Sequence, residues 1–319
     1  METPEISTSS DSPSVSEPKR LLPSIFQNEQ GLRAGWRLAI YVGVVVVSWV
    51  GLMTLMTEFV HPGREANSPW SLGVGESASF AVAFGAAWMM SRLEQRSVGV
   101  YGLPLLGAFG KFFWLGCLVG LSEISALIAL IAAFGGYSFG EVALHGGALV
   151  SLSVSWAILF VLVGLLEEFL FRGYTQYTLA EGIGFWPAAV LLSVAFGLVH
   201  RKNPGEGWAG VASVIVIGMV FCFALKRTGN LWFCVGLHAA FDFGETFLYS
   251  VPDSGVTFEG HLSNASLHGP AWLTGGSIGP EGSVFSFLTM GIVALAIHIL
   301  FPAPAKRSAE PEAAQASAA

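Results

Sequence analysis

Two adjacent carboxylates and a guanidinium interrupt one long, mainly apolar run of this chain. Glu167 and Glu168 stand together in that run, and Arg172 follows Glu168 by four residues. Charges inside a hydrocarbon-spanning helix are costly unless they pair or face a wet cavity, so function is the default interpretation. The i, i+4 spacing with the acid first favours an ion pair. Glu167 points about 100° away from Glu168, so we predict that Arg172 holds Glu168 and leaves Glu167 free.

Histidines in two later apolar runs add groups that accept and donate protons. His200 ends one run, and His238 and Asp242 lie within another. His238 and Asp242 are spaced i, i+4 and therefore share one helix face. His200 alone is typical of an interfacial residue, and the Glu–Glu–Arg group alone is compatible with a charge cluster at a helix end. The combination indicates an acid–base site.

Depth in the membrane decides whether these side chains meet. With a rise of about 1.5 Å per residue, Glu167 lies ~18 Å from the inner end of its predicted helix, His200 ~22 Å and Asp242 ~17 Å. His238 lies one turn lower, at ~11 Å. Three separate helices are thus predicted to present these groups to one layer of the membrane.

The composition requires that these helices sit in lipid. The 319 residues are 53% hydrophobic and 12% charged, against about 25% charged in soluble domains, and the mean hydropathy is +0.63. The net charge of −7 and the lack of a basic cluster exclude a nucleic-acid partner. We predict an all-α, polytopic membrane protein of about eight transmembrane helices with a four-helix catalytic core, whose surroundings are the lipid bilayer.

The eight predicted spans each contain about 20 mainly apolar residues, the length that crosses a bilayer. They run approximately over Leu38 to Val60, Leu72 to Met90, Phe112 to Phe134, Ser151 to Leu179, Phe185 to His200, Trp208 to Leu225, Leu231 to Tyr249 and Val284 to Phe301.

The same pattern divides the chain into regions. Residues 1–35 and 303–319 are predicted to be disordered cytoplasmic tails, because they are too poor in apolar residues to order themselves. Residues 36–150 are predicted to form accessory helices, residues 151–250 the catalytic core, residues 251–283 an extended extracytoplasmic loop and residues 284–302 the last helix.

Placing both termini in the cytoplasm puts eleven of the 15 Lys and Arg residues inside and three outside, with Arg172 within a helix. We therefore expect a multi-pass protein of the cell membrane.

Three motifs over residues 151–249 resemble the CAAX protease and bacteriocin-processing peptidases, which include the Ras-converting CAAX endopeptidases and bacterial Abi proteins. They are Glu167-Glu168 with Arg172, Phe196 with His200, and His238 with Asp242. Each motif alone is weak, whereas their order, spacing and placement on consecutive apolar segments are specific. Asp242 departs from the prenyl-protein endopeptidases, which typically have Asn at that position.

The resemblance implies hydrolysis of a peptide bond in a peptide or protein substrate at the membrane. Glu167 and His200 would activate a water molecule, and His238 and Asp242 would bind the developing oxyanion. An Asp242 carboxylate repels an oxyanion unless it is protonated or metal-bound, so its alternative role is to orient His238. His200, His238 and Asp242 are adequate ligands for Zn²⁺, and proteins of this family are often labelled metalloproteases. We favour metal-independent water activation, with Zn²⁺ as the alternative.

Two other functions compete with an intramembrane peptidase. A catalytically inactive scaffold or immunity protein of the same fold is one, because a fold does not imply activity. A proton-coupled transporter is the other, because acid and His chains also make proton relays, although no inverted repeat is evident. Glu76, Glu123 and Glu245 are further acids in apolar segments, and we assign them no catalytic role.

Overall fold

The structure, a computed structural model, describes residues 26–28, 31–59 and 68–302. The predictions for most of the N-terminal tail, for residues 303–319 and for Arg64 lie outside these residues. The described chain contains ten α-helices: α1 Ala34–Phe59, α2 Pro69–Leu93, α3 Lys111–Ala133, α4 Gly146–Arg172, α5 Tyr174–Ile183, α6 Phe185–His200, α7 Trp208–Thr228, α8 Leu231–Phe243, α9 Ala271–Thr274 and α10 Val284–Leu300.

Within the described residues, the strands form two short antiparallel pairs. β1 (Gln27–Asn28) pairs with β2 (Gly31–Leu32), and β3 (Tyr137–Ser138) pairs with β4 (Ser266–Leu267). The prediction of an all-α membrane protein is confirmed. In the described residues, four stretches are long and apolar enough to cross a bilayer, namely Ala34–Met56, Lys111–Ala133, Gly146–Ile183 and Trp208–Thr228. Phe185–His200 and Val284–Leu300 are shorter apolar helices.

The fourth predicted span is two helices in the structure. We predicted one helix from Ser151 to Leu179, but α4 ends at Arg172 and α5 begins at Tyr174. Gly173 joins them with φ −81° and ψ −117°, and a Cβ at this position would overlap the carbonyl oxygen of Phe169. The break therefore depends on a residue that lacks a side chain.

The seventh predicted span also changes its geometry before it ends. α8 stops at Phe243, and the chain continues as one π-helical turn, Gly244–Leu248. Wide turns of this kind occur mostly as single insertions and often at functional sites. Here the turn buries Glu245, whose side chain is fully enclosed.

Residues 251–283 are packed against the helices more closely than the extended loop that we predicted. The segment contains β4, α9 and the 3₁₀ helix Pro280–Gly282. Its Leu273 and Ile278 are buried, and Ser263 is completely enclosed. The Ser263 amide donates a hydrogen bond to Ser250 Oγ, which ties the segment to the end of the π-helical turn.

Glycines bring α8 close to its neighbours. A Cβ at Gly116 or Gly120 of α3 would overlap carbonyl oxygens of α8, and one at Gly236 would overlap the carbonyl oxygen of Phe113. Gly164 of α4 is less tightly packed, because an added Cβ would lie 3.1 Å from the carbonyl oxygen of Val235 and at an ordinary contact distance of 3.5 Å from His238 Cβ. Small residues let helix backbones approach in lipid, and here they carry α8 into the middle of the bundle.

Most of the described basic residues lie at one end of the bundle, namely Arg33, Arg37, Arg92, Arg96, Lys111, Lys226 and Arg227, whereas Arg201 and Lys202 lie at the other end. At the first end, which we call the basic end, Arg37 contacts Glu94 at 2.7 Å and also pairs with Glu181. Arg96 pairs with Glu181 as well, and Tyr174 donates a hydrogen bond to Glu94. This network joins the start of α1, the end of α2 and α5.

Six of the eight exposed tryptophans among the described residues lie near the ends of the bundle, as expected where it meets the two faces of a bilayer. At the basic end, Trp36, Trp114 and Trp186 lie near the starts of α1, α3 and α6. At the opposite end, Trp70 and Trp208 lie near the starts of α2 and α7, and Trp272 lies in α9. The exposed apolar surface between these two sets of tryptophans is that of a protein embedded in lipid.

Candidate active site

Glu167, His200, His238 and Asp242 meet in the interior of the bundle, on α4, α6 and α8. Glu167 Oε2 lies 4.0 Å from His200 Nε2 and 3.7 Å from His238 Nε2. His238 Nε2 lies 3.4 Å from Asp242 Oδ2. The structure thus brings these side chains together from three helices, whereas their common depth in the membrane and their catalytic roles remain predictions.

Glu168 and Arg172 form a buried support on the other side of His238. Both side chains are enclosed, and Arg172 Nη1 lies 3.4 Å from Glu168 Oε1, as their spacing predicts. His238 Nδ1 donates a hydrogen bond of 2.9 Å to the same Glu168 oxygen. The Arg172 guanidinium lies over the Phe196 ring at 4.3 Å, a cation–π contact that helps to stabilise its charge.

The hydrogen-bond partner of His200 indicates which ring nitrogen carries the proton. Its Nδ1 lies 2.8 Å from the carbonyl oxygen of Phe196, and a carbonyl oxygen only accepts hydrogen bonds. We therefore assign the proton of neutral His200 to Nδ1. This leaves the Nε2 lone pair facing Glu167 and the cavity between them.

His238 is held from both sides. Glu168 accepts from Nδ1, while Glu167 and Asp242 lie on the Nε2 side. The Phe221 ring stacks on the imidazole, with centroids 5.5 Å apart and planes at 20°. These contacts fix the ring orientation, which agrees with the alternative that Asp242 orients His238.

These groups line a cavity of about 320 Å³. Its walls are mostly apolar, and acidic residues from outside the three motifs also line it. The lining includes Glu76, Glu123, Leu159, Phe160, Phe196, Asn203, Phe221, Phe241, Asp253, Phe258 and Glu281. An apolar cavity with a few convergent polar groups is the usual form of a small-molecule or peptide site.

The donor atoms fit Zn²⁺ chemically. His200 offers Nε2 while its Nδ1 is held by a carbonyl oxygen, an arrangement typical of metal-binding histidines. His238 Nε2 and Asp242 Oδ2 complete a set of two imidazoles and one carboxylate. The prediction of a metal at His200, His238 and Asp242 stays a prediction.

Asp253 and Glu281 are the site residues that the sequence motifs missed. Both belong to the 251–283 segment and reach the cavity because that segment packs over it. Burial raises the pKa of Asp253 to about 6 and that of Glu281 to about 8. The only signal in the sequence was the lack of Lys and Arg in a segment that contains several acids.

Comparison with known proteins supports the resemblance. Residues 148–244 match the profile of the family described as type II CAAX prenyl endopeptidase Rce1-like. The match covers α4 to α8 and includes all seven residues of the three sequence motifs. No curated protein matches the chain. The family resemblance is therefore confirmed for this segment, and it supports a CAAX-type intramembrane protease fold.

Proposed function

We propose, on the premise that residues 148–244 resemble type II CAAX prenyl endopeptidases, that this protein is an intramembrane endopeptidase. The observation that carries the proposal is the arrangement of Glu167, His200 and His238 around one point of a largely apolar cavity. In the described residues Glu167 has no Lys or Arg partner. It is therefore available as a base.

Glu167 and His200 activate the attacking water in this mechanism. Their facing atoms are 4.0 Å apart, too far for a direct hydrogen bond and close enough to share a water molecule. The water oxygen adds to the scissile carbonyl carbon while Glu167 accepts its proton. Collapse of the tetrahedral intermediate breaks the C–N bond, and the proton passes to the departing amine.

His238 stabilises the negative charge that develops on the carbonyl oxygen. Glu168 holds Nδ1 and Arg172 compensates the charge of Glu168, so that protonated His238 directs Nε2–H towards the cavity. A preorganised donor of this kind contributes a few kcal/mol to transition-state stabilisation. We assign Asp242 the role of orienting His238, because its carboxylate would repel an oxyanion.

The same proposal accommodates a metal. When bound to His200, His238 and Asp242, Zn²⁺ would polarise the carbonyl and favour ionisation of water. The substrate is a peptide segment of a membrane-associated protein. A farnesylated peptide ending in a CAAX sequence is the first probe, because the matching family is described by its action on prenylated CAAX proteins.

The test compares cleavage by purified wild-type protein with Glu167→Gln, His200→Ala and His238→Ala. The substrates are farnesylated and unprenylated forms of one peptide. We expect each substitution to lower kcat/KM by about 10²–10⁴-fold, with an unchanged unfolding temperature for Glu167→Gln. Glu259→Gln is the matched control, because Glu259 is an exposed acid outside the cavity. Activity that survives all three substitutions would refute the site.

Two further experiments distinguish a metal-dependent from a metal-independent peptidase, and an active peptidase from an inactive scaffold. Loss of activity in 1,10-phenanthroline with recovery on adding Zn²⁺ would assign the metal a role. Absence of cleavage by the wild type, together with binding of the same peptides, would favour the inactive scaffold.

A further inference from the structure

Three carboxylates meet next to the catalytic cavity and belong to none of its motifs. Glu245 lies on the π-helical turn, Asp253 follows it, and Glu281 lies on the 3₁₀ helix before α10. One oxygen from each lies within 4.8 Å of the other two. Residues separated by 36 positions are thus brought to a single point.

The surrounding contacts place the carboxylates without neutralising them. Thr246 Oγ1 donates to Asp253 Oδ2 at 2.9 Å, and Ser254 Oγ donates to Glu281 Oε2 at 3.1 Å. None of the three carboxylates pairs with Lys or Arg in the described part of the chain. The sequence from residue 228 to residue 305 contains neither basic type.

Glu245 supplies a separate indication of a ligand. Its side chain is 0% exposed, and no N–H or hydroxyl group among the described residues donates to its carboxylate oxygens; the polar group that it faces is the carboxyl group of Glu281, another acid. Burying such a group without a donor or a cation to compensate its charge is unfavourable. Because Glu245 faces Asp253 and Glu281, a ligand bound to all three would satisfy it.

The chemical type of these three side chains indicates which cation they would bind. All three donors are carboxylate oxygens, which suit the hard cations Ca²⁺ and Mg²⁺, whereas Zn²⁺ sites favour nitrogen and sulfur. Ca²⁺ tolerates irregular oxygen geometry, and Mg²⁺ requires a nearly ideal octahedron. A site assembled from a π-helical turn and a connecting segment is irregular.

We propose that Glu245, Asp253 and Glu281 form a Ca²⁺ site that fastens the 251–283 segment to the end of α8. Asp253 and Glu281 also line the catalytic cavity, so the cation holds one wall of the cavity in place. α8 carries His238 and Asp242, and the cation therefore connects that wall to the helix of the candidate oxyanion site. Ca²⁺ binding itself does not depend on peptidase activity.

The experiment measures Ca²⁺ binding to the full chain in detergent after removal of metals with EGTA. Equilibrium dialysis with radioactive Ca²⁺ gives the stoichiometry, and thermal unfolding in Ca²⁺, Mg²⁺ or Zn²⁺ gives the selectivity. We expect one Ca²⁺ per chain and a higher unfolding temperature in Ca²⁺ than in EGTA, because the ligand binds the folded state.

Substitutions then locate the site. Asp253→Asn and Glu281→Gln should each weaken Ca²⁺ binding about tenfold or more, because affinity depends on the number of charged ligands. Glu259→Gln should bind normally, because this exposed acid lies in the same segment but outside the cluster. Asp253 and Glu281 are both partly exposed, whereas Glu245 is enclosed, so these two variants are better placed to fold than a substitution of Glu245, and each one replaces the other in the test should one of them fail to fold.

Two results would overturn the proposal. One is an unfolding temperature that is the same in Ca²⁺ and EGTA, with Glu245→Gln more stable than the wild type, which indicates protonated carboxyl groups instead of a cation. The other is equal Ca²⁺ binding by wild type and Asp253→Asn. Glu167→Gln provides the separation from the peptidase proposal, because it should bind Ca²⁺ normally whether or not the wild type cleaves peptides.

Discussion

At the scale of single residues, the adjacent acids Glu167 and Glu168 differ in burial and in the groups that they contact. Glu168 is completely buried, pairs with Arg172 and accepts a hydrogen bond from His238. The Glu167 side chain is 28% exposed and faces His200 and the cavity. The rotation of about 100° between successive helical residues accounts for the division. One acid supports the site, and the other is free to react.

Glu168→Gln should therefore lower stability as well as activity. The substitution leaves the Arg172 charge buried without its partner, and breaking a buried pair costs about 3–5 kcal/mol. Adding Arg172→Met to Glu168→Gln should recover most of that loss without recovering cleavage, because His238 still lacks its charged acceptor. Thermal or urea unfolding and peptide cleavage measure the two effects.

The control for this prediction is Glu167→Gln, which breaks no ion pair with Lys or Arg and should unfold like the wild type. If Glu168→Gln and Glu167→Gln were equally stable, the assignment of Glu168 as the buried support would be wrong.

At the scale of elements, the sequence predicted the apolar helices and the Glu168–Arg172 pair because both depend on local spacing. It did not predict the break at Gly173 or the π-helical turn after Phe243, because a single glycine such as Gly173 or Gly244 is also common inside packed membrane helices and does not mark a break by itself. The collision that a Cβ at Gly173 would make with Phe169 is visible only in three dimensions. The contacts of Asp253 with Thr246 and of Glu281 with Ser254 likewise depend on how the 251–283 segment folds back.

The packing of α3 against α8 should affect activity from outside the cavity. Gly236→Ala would place a Cβ against the carbonyl oxygen of Phe113 and displace α8, which carries His238 two residues later. We expect a loss of about 1–3 kcal/mol of stability from the overpacking, together with a fall in kcat. Unfolding and steady-state cleavage test both expectations.

Gly85→Ala is the matched control for this glycine, because a Cβ there meets nothing within 4 Å. It should leave activity intact and change stability by no more than about 1 kcal/mol, in the stabilising direction expected for Ala in a helix. Equal behaviour of the two variants would show that close approach of α3 and α8 does not position the site.

At the scale of the whole molecule, the two ends of the bundle present different groups. The basic end joins α1, α2 and α5 through Arg37, Arg96, Glu94 and Glu181. The opposite end carries the 251–283 segment, whose Asp253 and Glu281 line the cavity. From the positive-inside rule we predict that the basic end faces the cytoplasm. Under that orientation, the acid-lined side of the cavity lies towards the exterior.

This orientation predicts which positions a membrane-impermeant maleimide reaches in intact cells. In a chain with Cys117, Cys222 and Cys234 replaced, we expect Glu259→Cys to be labelled directly and Leu106→Cys only after permeabilisation. Both positions are exposed and lie in connections at opposite ends of the bundle. An unchanged unfolding temperature of the cysteine-free parent shows that the bundle is intact. The reverse labelling pattern would place residues 251–283 in the cytoplasm, and substrates would then approach that side of the cavity from within the cell.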